Sequence, residues 1–132
     1  MGFVLMLHSL VRWVIVIVAV IALVRLALGW VRGNAFGRLD RGLVSGFAGL
    51  MDLQALLGLI YLFWSGLSGD GFPAYRILHA FIMIAAVAVA HLGARSSGSG
   101  DVVRYRNALL SIVAALALIV VGVAILPQGW LG

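Results

Sequence analysis

Four stretches of about 20 apolar residues, parted by short polar segments, leave this chain one class of fold. They cover residues 3–30, 42–64, 75–93 and 107–126. A helix of about 20 residues spans the roughly 30 Å hydrocarbon layer of a bilayer. Inside that layer no water satisfies the backbone, so even the run from Val14 to Val24, rich in valine and isoleucine, is predicted helical. The expectation is an all-α integral membrane four-helix bundle with up-down-up-down topology. It forms a single transmembrane domain over residues 1–132. Only 10% of the residues are charged, against about 25% in soluble domains, and the loops are too short to form a second unit. No small-residue cleavage site follows a short apolar core, so the first stretch reads as a retained span. No internal repeat stands out.

All nine basic residues are arginine, and the acids are Asp40, Asp52, Asp70 and Asp101, giving a net charge of +5. The arginines form no continuous basic face, which argues against nucleic acid as a partner. They read instead as topology. Arg25, Arg32, Arg38, Arg41, Arg95, Arg104 and Arg106 flank the loops after the first and third spans, whereas the other side has Arg76 at its edge. By the positive-inside rule both termini are expected on the non-cytoplasmic side of the membrane. Trp30, Trp64, Trp130, Tyr61, Tyr75 and Tyr105 fall near the predicted interfaces, where amphipathic rings concentrate. Residues 65–74, with three glycines and Pro73, read as a turn, and residues 94–106 as a polar loop around a flexible Ser-Ser-Gly-Ser-Gly stretch. The absence of cysteine excludes disulfides, cysteine-ligated iron–sulfur clusters and covalent c-type haem.

Polar side chains inside a span are costly and need a partner or a task. Here they are His8, Arg12, Asp52, Gln54, His79 and His91. His8 and His79 lie at similar depth from the same side, on spans one and three. Two imidazoles facing each other across a bundle can hold a haem iron from both sides; the plain alternative is that each bonds a backbone carbonyl. Arg76, one turn from His79, is a candidate partner for a haem propionate, and Arg12, one turn below His8, either a second one or the ion-pair partner of Asp52. Gln54 is rotated about 200° from Asp52 on an ideal helix, so one of the two at most faces Arg12. Met83, one turn beyond His79, is an alternative ligand or simple packing. His91 has no histidine at matching depth and reads chiefly as an interfacial residue, with a quinone or lipid headgroup as the other option. Gly42, Gly46, Gly49 and Gly58 would allow close helix approach.

Several of these residues form patterns. His8-Ser9-Leu10-Val11-Arg12-Trp13 opens the chain, Gln54-Ala55-Leu56-Leu57-Gly58-Leu59 precedes Tyr61 and Phe63, and Arg76, His79 and Met83 follow. In these the chain resembles small four-helix bacterial membrane proteins of the cytochrome b / b561-like type, over most of its length and best in spans one to three. It departs from them at Leu78, where that family often carries glutamate. The resemblance implies haem b with His8 and His79 as metal ligands and with Arg12, Arg76 and Gln54 among the cofactor-binding residues. The expected function is electron transport in the membrane, between quinone and a partner protein or complex, as a homo-oligomer or a subunit of a larger assembly. The alternative is a non-redox accessory subunit of a respiratory or photosynthetic complex, with a variant in which a histidine ligates a chlorophyll-type pigment. A channel or transporter ranks last, since Arg12, Asp52 and Gln54 alone offer a polar path.

Overall fold

The fold is that of a computed structural model describing residues 2–95 and 100–131, with the side chain of Leu131 set aside. Four helices carry it: α1 Gly2–Arg32, α2 Arg38–Ser65, α3 Ala74–Arg95 and α4 Asp101–Ala124. All four are long and apolar enough to cross a membrane. The shortest, with 22 residues, extends about 33 Å at 1.5 Å per residue, enough for the hydrocarbon layer. The all-α four-helix bundle stands as predicted.

The helices pack in a closed ring, α1 on α2, α2 on α3, α3 on α4 and α4 back on α1. Alternating direction makes each contact antiparallel and sets α1 and α3 across the diagonal. The seam is built from small side chains: Ala19 and Ala22 of α1, Ala48 of α2, Ala86 and Ala90 of α3, Ala108 and Ala115 of α4 are all buried. With lipid tails as apolar as leucine, close approach rather than water exclusion holds such helices together. Gly93 shows how close. A Cβ there would collide with Ser111, whose hydroxyl donates to the Val89 carbonyl at 2.6 Å. The large apolar side chains of α1, among them Ile17, Val20, Ile21 and Val24, point outward, where lipid receives them.

The element ends differ from the sequence expectation in ways the polar residues explain. α2 begins at Arg38 rather than residue 42, because Asp40 sits in its first turn and accepts the Gly37 backbone N–H at 2.9 Å. α4 begins at Asp101 rather than residue 107. Gly100 breaks the chain there with φ +120°, and Asp101, at the positive end of the helix dipole, also accepts the Phe36 N–H at 3.0 Å. Of the Ser-Ser-Gly-Ser-Gly stretch expected to be flexible, residues 96–99 lie outside the described residues. The turn after α2 widens into one π-helical turn, Gly66–Asp70, released by Gly69 and Gly71 at positive φ before Pro73 opens α3. Beyond Pro127 a 3₁₀ turn, Gly129–Leu131, brings the chain back over the bundle end.

Tyr105 is not the interfacial ring that its place in the sequence implies. It is buried, its hydroxyl donating to Asp40 Oδ2 at 2.9 Å with the Ala35 carbonyl 3.1 Å away. Arg25 Nε donates to Asp40 Oδ1 at 3.1 Å. One buried carboxylate thus ties α1, α2 and α4 at the arginine-rich end. Gly29 leaves room for the Tyr105 ring, which any Cβ would strike.

Candidate functional site

Opposite that end lies a cavity of about 320 Å³, at the lower end of the roughly 300–1,000 Å³ typical of small-molecule and cofactor sites. His8, Arg12, Gln54, Arg76 and His79 all line it. The five residues expected to hold a cofactor therefore converge, from three helices, on one space.

Each is positioned locally. Gln54 Nε2 donates to the His8 carbonyl at 2.8 Å, pinning α2 to α1 beside the cavity. The His8 ring lies against Gly58: a Cβ built there would stand 3.1 Å from His8 Cε1. On α3, His79 Nδ1 is 2.7 Å from the Gly122 carbonyl of α4. A carbonyl only accepts, so Nδ1 carries the proton and Nε2 keeps its lone pair. A backbone bond of this kind fixes tautomer and ring orientation in metal-ligating histidines. Met83 packs on Gly122 and lines the same space.

Equal counting from the span ends puts the two histidines within a turn of each other, and the structure sets them slightly further apart. The Asp52–His91 contact fixes the register of α2 and α3 and sets His79 opposite about residue 64, whereas His8 meets Gly58. The difference is about six residues of helix, roughly 9 Å or one and two-thirds turns. It arises because α1 starts opposite the last turn of α2, below the level at which α3 begins.

The electrostatics of the cavity are incomplete. Four buried side-chain atoms among the described residues lack a hydrogen-bond partner: His8 Nδ1, Arg12 Nε, Gln54 Oε1 and Arg104 Nε. Three of them belong to residues lining this one cavity. Buried polar atoms are ordinarily paired, and each left unpaired costs about 1–3 kcal/mol. Arg12 also has its guanidinium carbon 5.3 Å from the Trp13 ring and 5.9 Å from that of Trp130, two indoles 6.3 Å apart. Trp130 thus closes the rim, a role its interfacial placement in the sequence does not convey. Arg76 is already engaged, donating to Ser65 Oγ at 3.2 Å, 3.9 Å from Asp70 and over the Tyr61 ring.

The donor set can be tested against a haem. No group of three or more His, Cys, Asp or Glu side chains occurs among the described residues, so a bare ion has too few ligands there. A haem iron, already held by its macrocycle, would need two further ligands, and His8 and His79 are the residues that would hold it. The glycine against His8 and the unpaired nitrogens around the cavity also suit a flat ring with acidic substituents. The residues fit the group.

Three expectations are corrected. Arg12 does not pair with Asp52. Gln54 is the residue turned toward α1, and the 200° rotation between them carries Asp52 to the far side of α2. There it meets His91, whose Nε2 lies 2.8 and 2.9 Å from the two carboxylate oxygens. His91 therefore has a hydrogen-bonding partner on α2, which the sequence reading did not give it. Counting both ways from the turn near residue 71 brings Asp52 and His91 to one level, a signal the sequence did contain. Gly42, Gly46 and Gly49 pack against nothing, so of the four glycines only Gly58 makes a close approach.

The chain matches no protein-family model, no curated protein and no solved structure, and its function must be read from these residues.

Proposed function

We propose that the protein is a membrane-bound b-type cytochrome that carries electrons, between quinone and a partner protein or complex, in the manner of the cytochrome b / b561-like proteins its motifs resemble. One observation carries the reading. His8 and His79, on diagonal helices, line a cavity where three of the four unpaired buried polar atoms also collect. His79, its Nδ1 proton given to Gly122, keeps Nε2 for iron. His8, with Nδ1 unpaired and Gly58 at its back, is the second ligand. Arg12 and Arg76 are the partners for propionates, Arg12 having an unpaired Nε to offer. Gln54 holds His8 through its backbone, and its Oε1 is buried beside the cavity without a partner. When bound, a haem supplies an iron that passes single electrons between its ferric and ferrous states. The walls are mostly apolar, and Trp130, packed on Trp13, lies at the rim. The arginine distribution supports a site near the non-cytoplasmic face, with both termini on that side, and the resemblance implies a bacterial inner (cytoplasmic) membrane.

The test is a reduced-minus-oxidised absorption spectrum with haem b quantified per chain. Paired alpha and beta bands are expected, and both His8→Ala and His79→Ala should abolish them. A folded, colourless protein purified from a haem-sufficient host refutes the proposal.

A second reading has its own observation. The Asp52 and His91 side chains are 52% and 43% exposed on the outer surface of α2 and α3, where lipid contact is costly for charge. Such a face suits a second copy or the subunit of a larger complex. Copurification of a colourless chain with a respiratory or photosynthetic assembly would make it an accessory subunit instead.

A further inference from the structure

At the arginine-rich end, a groove runs along α1 beside the loop that follows it. Its floor is apolar: Val20, Val24 and Leu28 line it and are about half-exposed. Its upper part is polar, lined by Arg25, Arg32 and Asn34. Arg25 and Arg32 are seven residues apart, so they share one face of α1 about 10 Å apart along the axis. The position of Arg25 is fixed. Its Nε is held by Asp40, in the first turn of α2.

The charges do not cancel. Asp40 neutralises Arg25 and takes two more donors, the Gly37 N–H and the Tyr105 hydroxyl. Its acceptor capacity is thus occupied from inside the fold. The two terminal nitrogens of Arg25 have no acceptor among the described residues, and the side chain is 48% exposed. Arg32 has no acidic partner among the described residues and is exposed. The groove therefore keeps one net positive charge and a fork of free N–H donors, directly above an apolar strip at membrane depth. Guanidinium forks match phosphate oxygens.

We propose that this groove is a binding site for an anionic phospholipid, its phosphate between Arg25 and Arg32 and one acyl chain along Val20, Val24 and Leu28. Charge complementarity selects a lipid of net charge −1 over a zwitterionic one, whose own cation would face Arg32. The apolar floor selects a lipid over a free phosphate, which would leave Val20 and Val24 uncovered. The site lies at the opposite end of the bundle from the His8–His79 cavity and is independent of it.

The full chain, purified in neutral detergent, is titrated with phosphatidylglycerol or phosphatidylcholine of the same acyl chains, and retained lipid is counted by native mass spectrometry. Wild type should retain one phosphatidylglycerol per chain at concentrations where phosphatidylcholine is not retained. Arg32→Gln should weaken that retention about tenfold and leave unfolding of the lipid-free protein unchanged, because the Arg32 side chain makes no bond among the described residues. Arg25→Gln should weaken it further, with some loss of stability through Asp40; Arg32→Gln alone decides if that variant fails to fold. Equal retention of the two lipids by wild type, or undiminished preference in Arg32→Gln, overturns the proposal. So does displacement of the lipid by millimolar inorganic phosphate, which would make the site one for free anions.

Discussion

Gly58→Ala is the sharpest probe of the cavity, because the same helix provides its own control. A methyl group at position 58 would lie 3.1 Å from His8 Cε1. Ordinary carbon–carbon contact begins near 3.5 Å, so the imidazole must retreat by at least about 0.4 Å. Nothing opposes the retreat, since His8 Nδ1 has no partner. A rotation of a few degrees costs little, as about 30° off a rotamer costs only 0.5–1.5 kcal/mol. Fold stability should therefore change by less than about 1 kcal/mol. A bound metal centre is less forgiving: such geometry has to be held to about 0.5 Å, and the displacement is of that size. Haem affinity should fall about tenfold, equivalent to 1.4 kcal/mol, and Gly58→Leu should abolish binding. Gly46→Ala, at an exposed position with nothing within 4 Å, should leave both quantities unchanged. Haem titration of the apoprotein, followed at the Soret band, gives the affinity, and unfolding in detergent gives the stability. Unaltered haem affinity in folded Gly58→Ala would refute the assignment of His8 as a ligand.

Other consequences follow from the same contacts. Asp40→Ala removes the acceptor for Arg25, Gly37 and Tyr105 at once; a loss of about 3 kcal/mol is expected, below the upper range for a buried pair because Arg25 is half-exposed, and denaturant titration in mixed micelles measures it. Gly93→Ala should destabilise the α3–α4 seam by about 2 kcal/mol through Ser111, and Ser111→Gly should relieve most of that, a coupling that a double-mutant cycle reads directly. Asp52→Leu combined with His91→Leu should leave stability unchanged or raise it, whereas His91→Leu alone, which strands the carboxylate, should lower it; thermal unfolding of the three variants separates the cases. Trp130→Ala should uncover the rim and make Trp13 more accessible to an aqueous fluorescence quencher, with little effect on the fold.

What the sequence conveyed was depth; what it withheld was direction. Hydropathy places His8, His79, Arg12 and Gln54 near one end of the bundle, and the cavity brings those four together with Arg76. Facing is a matter of rotation, set by helix contacts that no single span encodes. Asp52 shows the difference: its depth matches Arg12, yet Gln54 bonds the His8 carbonyl and so commits the opposite face of α2, and Asp52 with it, to His91. Tyr105 fails for another reason. Its place near a span end made it an interfacial ring, but α4 starts six residues early, at Asp101, and turns it inward onto Asp40. Trp130 follows Pro127 and a glycine, so its return over Trp13 depends on a turn at Gly129 that hydropathy does not register.

The two ends of the bundle make opposite use of similar materials. At the arginine-rich end a buried carboxylate, a guanidinium, a phenol and a backbone N–H satisfy one another, and three helices are locked by the result. At the other end two histidines, a guanidinium and a carboxamide line one cavity, yet three of their polar atoms are buried without a partner. Stability alone does not account for that contrast. The bonds that are made at this end, Gln54 to the His8 carbonyl and His79 to the Gly122 carbonyl, spend one group of each side chain on the backbone and keep the other for the cavity. Leucine at positions 8 and 54 would pack such a bundle at lower cost. Polar groups held in fixed positions and left unsatisfied in an apolar span are what a site for an exogenous group requires. Polar residues serving only as interhelical ties would bond one another, as Arg25, Asp40 and Tyr105 do.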